Sequence, residues 1–405
     1  MAANRAERRR QAKLAKKAAK GGKLGTNGAA NPVAAILKEA DVLYKAKKLP
    51  ETLEKLEEVS SLDSTRHDVL STAGLIAFDL GEYEKAEQNY RLAVTVEPKN
   101  VKAQFGLGLT LKLLGRFEES AEALRESVKL SGAEPETVRR LIEVLWQLGA
   151  SVEIPALCDT LLQREPHNLE AAMYQAAAHF HRGTPEKARA LLGFEDLVEI
   201  HDLEAPDGYE DMKAFNKALA DHVVSHPTMA VPDKADATYH NDDLHITREL
   251  VGPGGDEGHT PVKDLEALIA SKIATYLETR KDTLDHGFIK RWPENNHLTA
   301  WGTLLKGQGN LAPHIHLQGY LGMVYYPELP QEMASEAANT GDDQRGFLEL
   351  GRLPDEFPVP VETDIHLIQP KEGRLVIFPG YFFHRTIPFE SADRRISIAF
   401  DVVAD

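Results

Sequence analysis

The 405-residue chain contains one cysteine, Cys158. A lone thiol cannot close an intramolecular disulfide or build a cysteine-based zinc site, so a secreted disulfide scaffold is excluded and a reducing cytoplasmic setting is expected. Long apolar runs are missing too. No window approaches the ~18 consecutive apolar residues of a transmembrane helix, and the N-terminus lacks the apolar stretch of a secretory signal. From Met1 to Leu24, the only large aliphatic side chains beyond the initial methionine are Leu14 and Leu24 themselves. Such a segment has almost no apolar face to lay into a bilayer, and residues 1–32 are expected to form a basic flexible tail.

Positive charge is scarce beyond that tail. The stretch from Met1 to Leu24 holds nine Lys/Arg and one Glu, whereas the rest of the chain holds 38 Lys/Arg and 62 Asp/Glu, a net charge of −24. Phosphate backbones need a basic face, so nucleic acid is not expected as a partner of the folded body. A length of 405 residues, set against ~150 residues per domain, requires two or three folded units.

What is present begins with a repeat. Gly81, Gly115, Gly149 and Gly183 recur at intervals of thirty-four positions, and Pro98, Gly132 and Pro166 form a second series with the same interval. Within 67–100 the glycine sits where a first helix must end, because it adopts positive φ without a Cβ clash. Tyr83 opens a second helix, Ala86 and Ala93 are small enough for neighbouring helices to approach, Tyr90 fills the groove between them, and Pro98 stops the helix for want of an N–H. These residues resemble the tetratricopeptide repeat, a helix-turn-helix unit that stacks into an α-solenoid. The resemblance covers 33–193, with Lys47 in place of the turn glycine in the first unit and a shortened last helix, as terminal caps require. It implies either a concave surface that holds a protein or peptide, or a scaffold that supports or dimerises the rest of the chain; both readings stand. No ring of basic residues marks the presumed inner helices, so carboxylate-clamp peptide capture is not expected.

After residue 195 the rhythm stops, and a linker is expected over 194–210. Two packing helices follow, one with Phe215, Leu219, His222 and Val223 on a face, the other at 262–280 with Val262, Leu265, Leu268, Ile269, Ile273 and Leu277 at helical spacing. From Leu298 the pattern changes to short apolar runs bounded by Gly and Pro (LTAWGTLL, LGMVYY, GFLEL, DIHLI, RLVIF and RRISIAFDVV), which predict an antiparallel sandwich or barrel. The acidic 331–345 stretch reads as an exposed strand-connecting loop.

Two histidine positions flank these strands. His314 and His316 precede LGMVYY, and alternate strand residues share a face, so both can aim into one cavity. His384 stands well downstream, after RLVIFPG, and Arg395 and Ser397 follow it on the last apolar run. An isolated His-x-His is more often a surface or core feature than a metal site. The joint order with Tyr326, His384, Arg395 and Ser397 resembles instead the Fe(II)/2-oxoglutarate dioxygenases of the double-stranded β-helix (jelly-roll) fold, in a branch often found behind tetratricopeptide repeats. The motifs lie in 298–403, within a domain expected over 211–405. The fold class expected is thus multidomain α plus β: an N-terminal solenoid and a C-terminal double-stranded β-helix with supporting helices.

The resemblance implies Fe(II) and 2-oxoglutarate, with O₂ as co-reactant and no catalytic side chain beyond the metal site. His314 and His384 are the implied imidazole ligands. Arg395 suits the distal carboxylate because guanidinium makes paired charge-assisted hydrogen bonds, with Ser397 on the same strand face and Tyr326 as a phenol donor. Arg394, by alternation, points away. The position of the usual carboxylate ligand is His316, and three readings are open: a three-histidine site with His316 as ligand, a two-histidine site with His316 behind it, or a carboxylate from elsewhere. Met323 beside Gly322 departs from the more usual Ser-Gly and places a thioether near the sheet interior. His286, His297 and His366 read as structural or surface residues, and Trp292 and Trp301 as core or pocket wall. The resulting expectation is an oxygenase that hydroxylates a protein or peptide. A non-catalytic adaptor with a ligand-sensing barrel, and a three-histidine dioxygenase that ignores 2-oxoglutarate, are the alternatives.

Overall fold

The computed structural model describes residues 32–232, 243–334, 344–355, 357 and 360–405. The tail at 1–31 and most of the acidic 331–345 stretch lie outside them. Packing divides the chain into two units, one ending at Glu153 and the other beginning at Ile154. Among the described residues no helix is long and apolar enough to cross a membrane.

The first unit is a run of antiparallel helices: Pro32–Lys45, Leu49–Leu62, His67–Asp79, Tyr83–Val96, Val101–Leu113, Phe117–Ser131 and Pro135–Gln147. Each turn between paired helices passes through a left-handed residue, with φ of 75° at Gly81, 71° at Gly115 and 63° at Gly149. Lys47, the non-glycine occupant of the same repeat position, takes it as well at φ 58°. Ala86 and Ala93 are fully buried and Tyr90 nearly so, and the Tyr90 ring fills the space that a side chain on Gly74 or Gly106 would need. Asn100 caps the helix it precedes by accepting from the Ala103 N–H at 3.1 Å, satisfying one of the orphan amides at a helix start.

The second unit holds the helices Ile154–Arg164, Leu169–His181 and Pro185–Leu192 together with every described strand. Gly183 repeats the left-handed turn at φ 69°. The expected linker is a correction. Residues Phe194–Leu197 form a helical turn and Glu199–Asp202 a strand, β1, paired antiparallel with a strand of the sheet. The division of packing also lies well before 194, because the last repeat helices are bonded to the sheet. Arg189 grips Asp364 at 2.6 Å, Tyr381 donates to the Leu192 carbonyl at 2.7 Å, and Phe194 stacks on His366 with ring centroids 3.4 Å apart.

Helices Met212–Ser225 and Pro261–Arg280 form where the apolar spacing places them, burying Phe215, Leu219 and Val223 from one and Val262, Leu265 and Ile269 from the other. The strands are antiparallel: β2 Leu244–Ile246, β3 Asn296–His314, β4 Gly319–Glu328, β5 Leu348–Leu350, β6 His366–Ile368, β7 Arg374–Pro379 and β8 His384–Ala404. Their order is β1-β7-β4-β8-β3-β2, with β5 joined to β8 and β6 joined to β5. Register shifts between Leu305 and Gly307, Gly309 and Leu311, and Leu311 and His314 interrupt the long β3–β8 ladder. Extra residues of this kind bend a strand. The first half of β3 therefore pairs the second half of β8 beside β4, while its second half pairs the start of β8 beside β5.

Because a Cβ on Gly106 would stand 2.2 Å from the Tyr90 ring, Gly106→Ala overpacks the solenoid. The expected loss is about 1–3 kcal/mol in urea unfolding of the full chain, and Tyr90→Leu in the same background should recover part of it.

Candidate metal centre

The β3–β8 register sets His314 directly opposite His384 across the strands. His316 arrives differently from the strand-alternation expectation, because β3 ends at His314 and His316 lies in the loop before β4. A backbone bond from the Gly319 N–H to the His316 carbonyl, 2.9 Å, closes that loop. The candidate ligand atoms of the three side chains nonetheless lie within 4.8 Å of one another.

Each ring has its Nδ1 committed. His314 Nδ1 donates to the Ala312 carbonyl at 2.8 Å and His384 Nδ1 to the Phe382 carbonyl at 3.2 Å. His316 Nδ1 donates to Asp401 Oδ1 at 3.0 Å. An Nδ1–H bonded to oxygen fixes the tautomer and leaves the lone pair on Nε2, the arrangement in which imidazole ligates a metal. Burial, and then the neighbouring His314 and His316 rings, push His384 well below the usual histidine range, so it is neutral at neutral pH, as a ligand must be. Buried Glu349 on β5 receives Arg385 at 2.8 Å and 3.2 Å, anchoring the start of β8 beside His384. Asp401, fixed on β8 and buried, is the functional candidate the sequence reading missed.

A second group, His222, His226 and Asp256, also brings donor atoms within that separation. Both His Nε2 atoms bond the Asp256 carboxylate, at 2.7 Å and 2.9 Å, and His226 Nδ1 accepts from the Thr228 N–H. That acceptor role puts the His226 proton on Nε2, so the group is closed on itself and offers no lone pair there.

The histidine trio opens into a cavity that Tyr326, Arg395 and Ser397 also line, with Trp301 and Met323 as apolar wall. Arg395 is 2% exposed, yet the hydrogen bond it makes to Ser397 Oγ is a long one, 3.4 Å. Arg395 Nε and Tyr326 Oη are buried with no hydrogen-bond partner among the described residues. Burial lowers Arg395 from its ordinary value and the adjacent Tyr326 opposes the shift, while no carboxylate contributes. Leaving a buried cation without a counter-ion costs several kcal/mol, and besides Ser397 Oγ the Arg395 guanidinium meets the face of the Tyr326 ring, 5.1 Å from its centroid. Its neighbour Arg394 faces outward and pairs Glu328 at 2.6 Å and 2.9 Å. His286, His297 and His366 have other duties: a helix cap, a pair with Asp405, and the stack on Phe194.

Residues 299–401 match the family model described as "Putative 2OG-Fe(II) oxygenase", and residues 71–135 and 154–192 match a tetratricopeptide repeat model. The chain thus joins a tetratricopeptide repeat region to a domain of that oxygenase description. Human tetratricopeptide repeat protein 7A is 33% identical over 113 residues, 28% of this chain, and human tetratricopeptide repeat protein 7B is 31% identical over the same length. The chain matches only 13% of the length of these two curated relatives. Among solved structures, that of MamA protein is 14% identical with a TM-score of 0.37, covering 39% of this chain and 87% of the other. That of YrrB, a TPR protein with an unusual peptide-binding site, is 19% identical with a TM-score of 0.36, covering 39% and 81%.

Removing the stranded guanidinium should not harm the ligand-free fold. Arg395→Met is expected to leave stability in urea unchanged or raise it by about 1–3 kcal/mol; a marked loss would mean that Arg395 is already satisfied.

Proposed function

We propose that the second unit is an Fe(II)- and 2-oxoglutarate-dependent oxygenase on a double-stranded β-helix, and that it hydroxylates a protein or peptide recruited by the repeats. The strand order supports the barrel: β7-β4-β8-β3 on one side and β3-β8-β5-β6 on the other share the two long bent strands. The observation that carries the reading is the buried Arg395, without a carboxylate partner, in the same cavity as three imidazoles. A ligand with a carboxylate at one end and a metal-chelating oxo acid at the other meets both demands.

His314, His316 and His384 hold the metal through Nε2. Arg395 forks onto the distal carboxylate, and the Ser397 and Tyr326 hydroxyls add donors that suit its remaining lone pairs. Trp301, Met323 and Phe378 line the same space and give it apolar walls. When bound, iron with 2-oxoglutarate and O₂ supplies the oxidation, releasing CO₂ and succinate as one oxygen atom enters a substrate C–H bond. Beyond His316 and Trp301 a cleft of about 950 Å³, bordered by exposed Arg248, Glu249 and Leu317, reaches the surface. An open cleft of that size suits a side chain presented on a polymer, and repeat arrays characteristically offer extended surfaces for such partners.

With metal present, 2-oxoglutarate or its unreactive N-oxalyl analogue is expected to stabilise the protein by about 2.7 kcal/mol at a hundredfold excess over Kd. Arg395→Met should remove the shift. Wild-type protein given iron and a suitable peptide should form succinate, and His384→Ala should not. A protein that binds iron but shows neither shift nor succinate is the adaptor, not the enzyme. Succinate-free oxidation of a substrate would point to the three-histidine chemistry that leaves Arg395 idle.

A further inference from the structure

We propose that Asp401 is a positioning residue for the metal centre, holding His316 as its third ligand and returning to the site the negative charge that three neutral imidazoles lack. The inference rests on the metal site proposed above and concerns which residue makes His316 fit to serve in it.

Strands hold two of the three imidazoles and a loop holds the third. His314 and His384 end and begin strands that pair with each other, whereas His316 sits among exposed Leu317 and Gln318. Asp401 has the opposite footing. It lies in β8 between two partner strands, opposite Thr299 on one side and Gly322 on the other, and is 4% exposed. Both of its oxygens approach His316 Nδ1, each at 3.0 Å, and among the described residues it forms no ion pair with Lys or Arg. The backbone makes room for it: a Cβ on Gly319 would lie 2.4 Å from the carboxyl carbon. The Trp301 ring also meets His316 edge-on, with centroids 4.9 Å apart. A carboxylate fixed by two strands thus orients an imidazole fixed by none, and bonding at Nδ1 raises the basicity of Nε2.

Cobalt(II) titration of the full-length apoprotein, followed by calorimetry and by the visible ligand-field bands, tests this. Wild-type protein should bind with a defined spectrum that His384→Ala abolishes. Asp401→Asn, whose amide oxygen still accepts from Nδ1–H, is expected to weaken binding ~10-fold, and Asp401→Ala towards ~100-fold, both with shifted bands. Gly319→Ala, which drives a methyl into the carboxylate, should weaken binding as well if the aspartate variants fold poorly. In a His316→Ala background, Asp401→Asn should cost nothing further, because the contact it serves is gone. Equal losses with and without His316 would overturn the inference and make Asp401 a general support of the fold. So would wild-type affinity and spectrum in Asp401→Asn and Asp401→Ala while His384→Ala abolishes binding. Undiminished binding in His384→Ala would instead overturn the metal site itself, and the inference with it.

Discussion

The antiparallel ladder between β3 and β8 is the constraint on which the second unit depends. One register sets Leu305 against Arg395, Thr303 against Ser397, and, after the bulges, His314 against His384. A slip by one residue would turn each side chain of one strand to the other face, sending Arg394 into the cavity and Arg395 to the surface. The interruptions that bend the ladder let one strand pair serve both faces, so that the end carrying His314 and His384 and the end carrying Arg395 and Ser397 line one cavity. The ladder also sets a strict division among neighbours in sequence. Arg394 and Arg395 are chemically identical, yet one finds Glu328 outside and the other finds no acid inside.

The arrangement of charge follows from burial. Three clustered imidazoles, a guanidinium without a counter-ion and a phenol hydroxyl without a hydrogen bond would be poor choices for a stable core. Each becomes reasonable where a ligand is to complete the set. Elsewhere in the same unit, two inward-facing acids are each matched by two bases: Glu349 by Arg352 and Arg385, and Asp256 by His222 and His226. The contrast between groups that are satisfied and groups that wait is the clearest mark of where the chemistry belongs.

Much of this was legible in the sequence because it is repetitive or local. The repeat glycines mark left-handed turns, and Lys47 kept its place in the series because position in the repeat, not residue type, dictates the conformation. The order of His314, Tyr326, His384, Arg395 and Ser397 pointed to one cavity through its resemblance to a known family, while alternation linked only His314 with His316 and Arg395 with Ser397. Other features were not legible for physical reasons. Strands as short as Glu199–Asp202 and Leu244–Ile246 carry no periodicity to detect. His316 owes its direction to a loop, so alternation reached the right residue by the wrong route. Asp401 stands 85 residues from its partner, at the end of an apolar strand where an acidic residue looks like an edge. The 194–210 segment reads as a linker by composition, but its Phe194 and β1 are drawn onto the sheet.

The bonding of the last repeat helices to the sheet bears on how such a protein can change over time. Solenoids commonly lengthen or shorten by whole units, each interface resembling the next. Here Leu192, Arg189 and Phe194 are tied to Tyr381, Asp364 and His366 by contacts that no generic repeat would reproduce. The end of the array that meets the sheet is therefore committed, and a change in repeat number there would break these contacts.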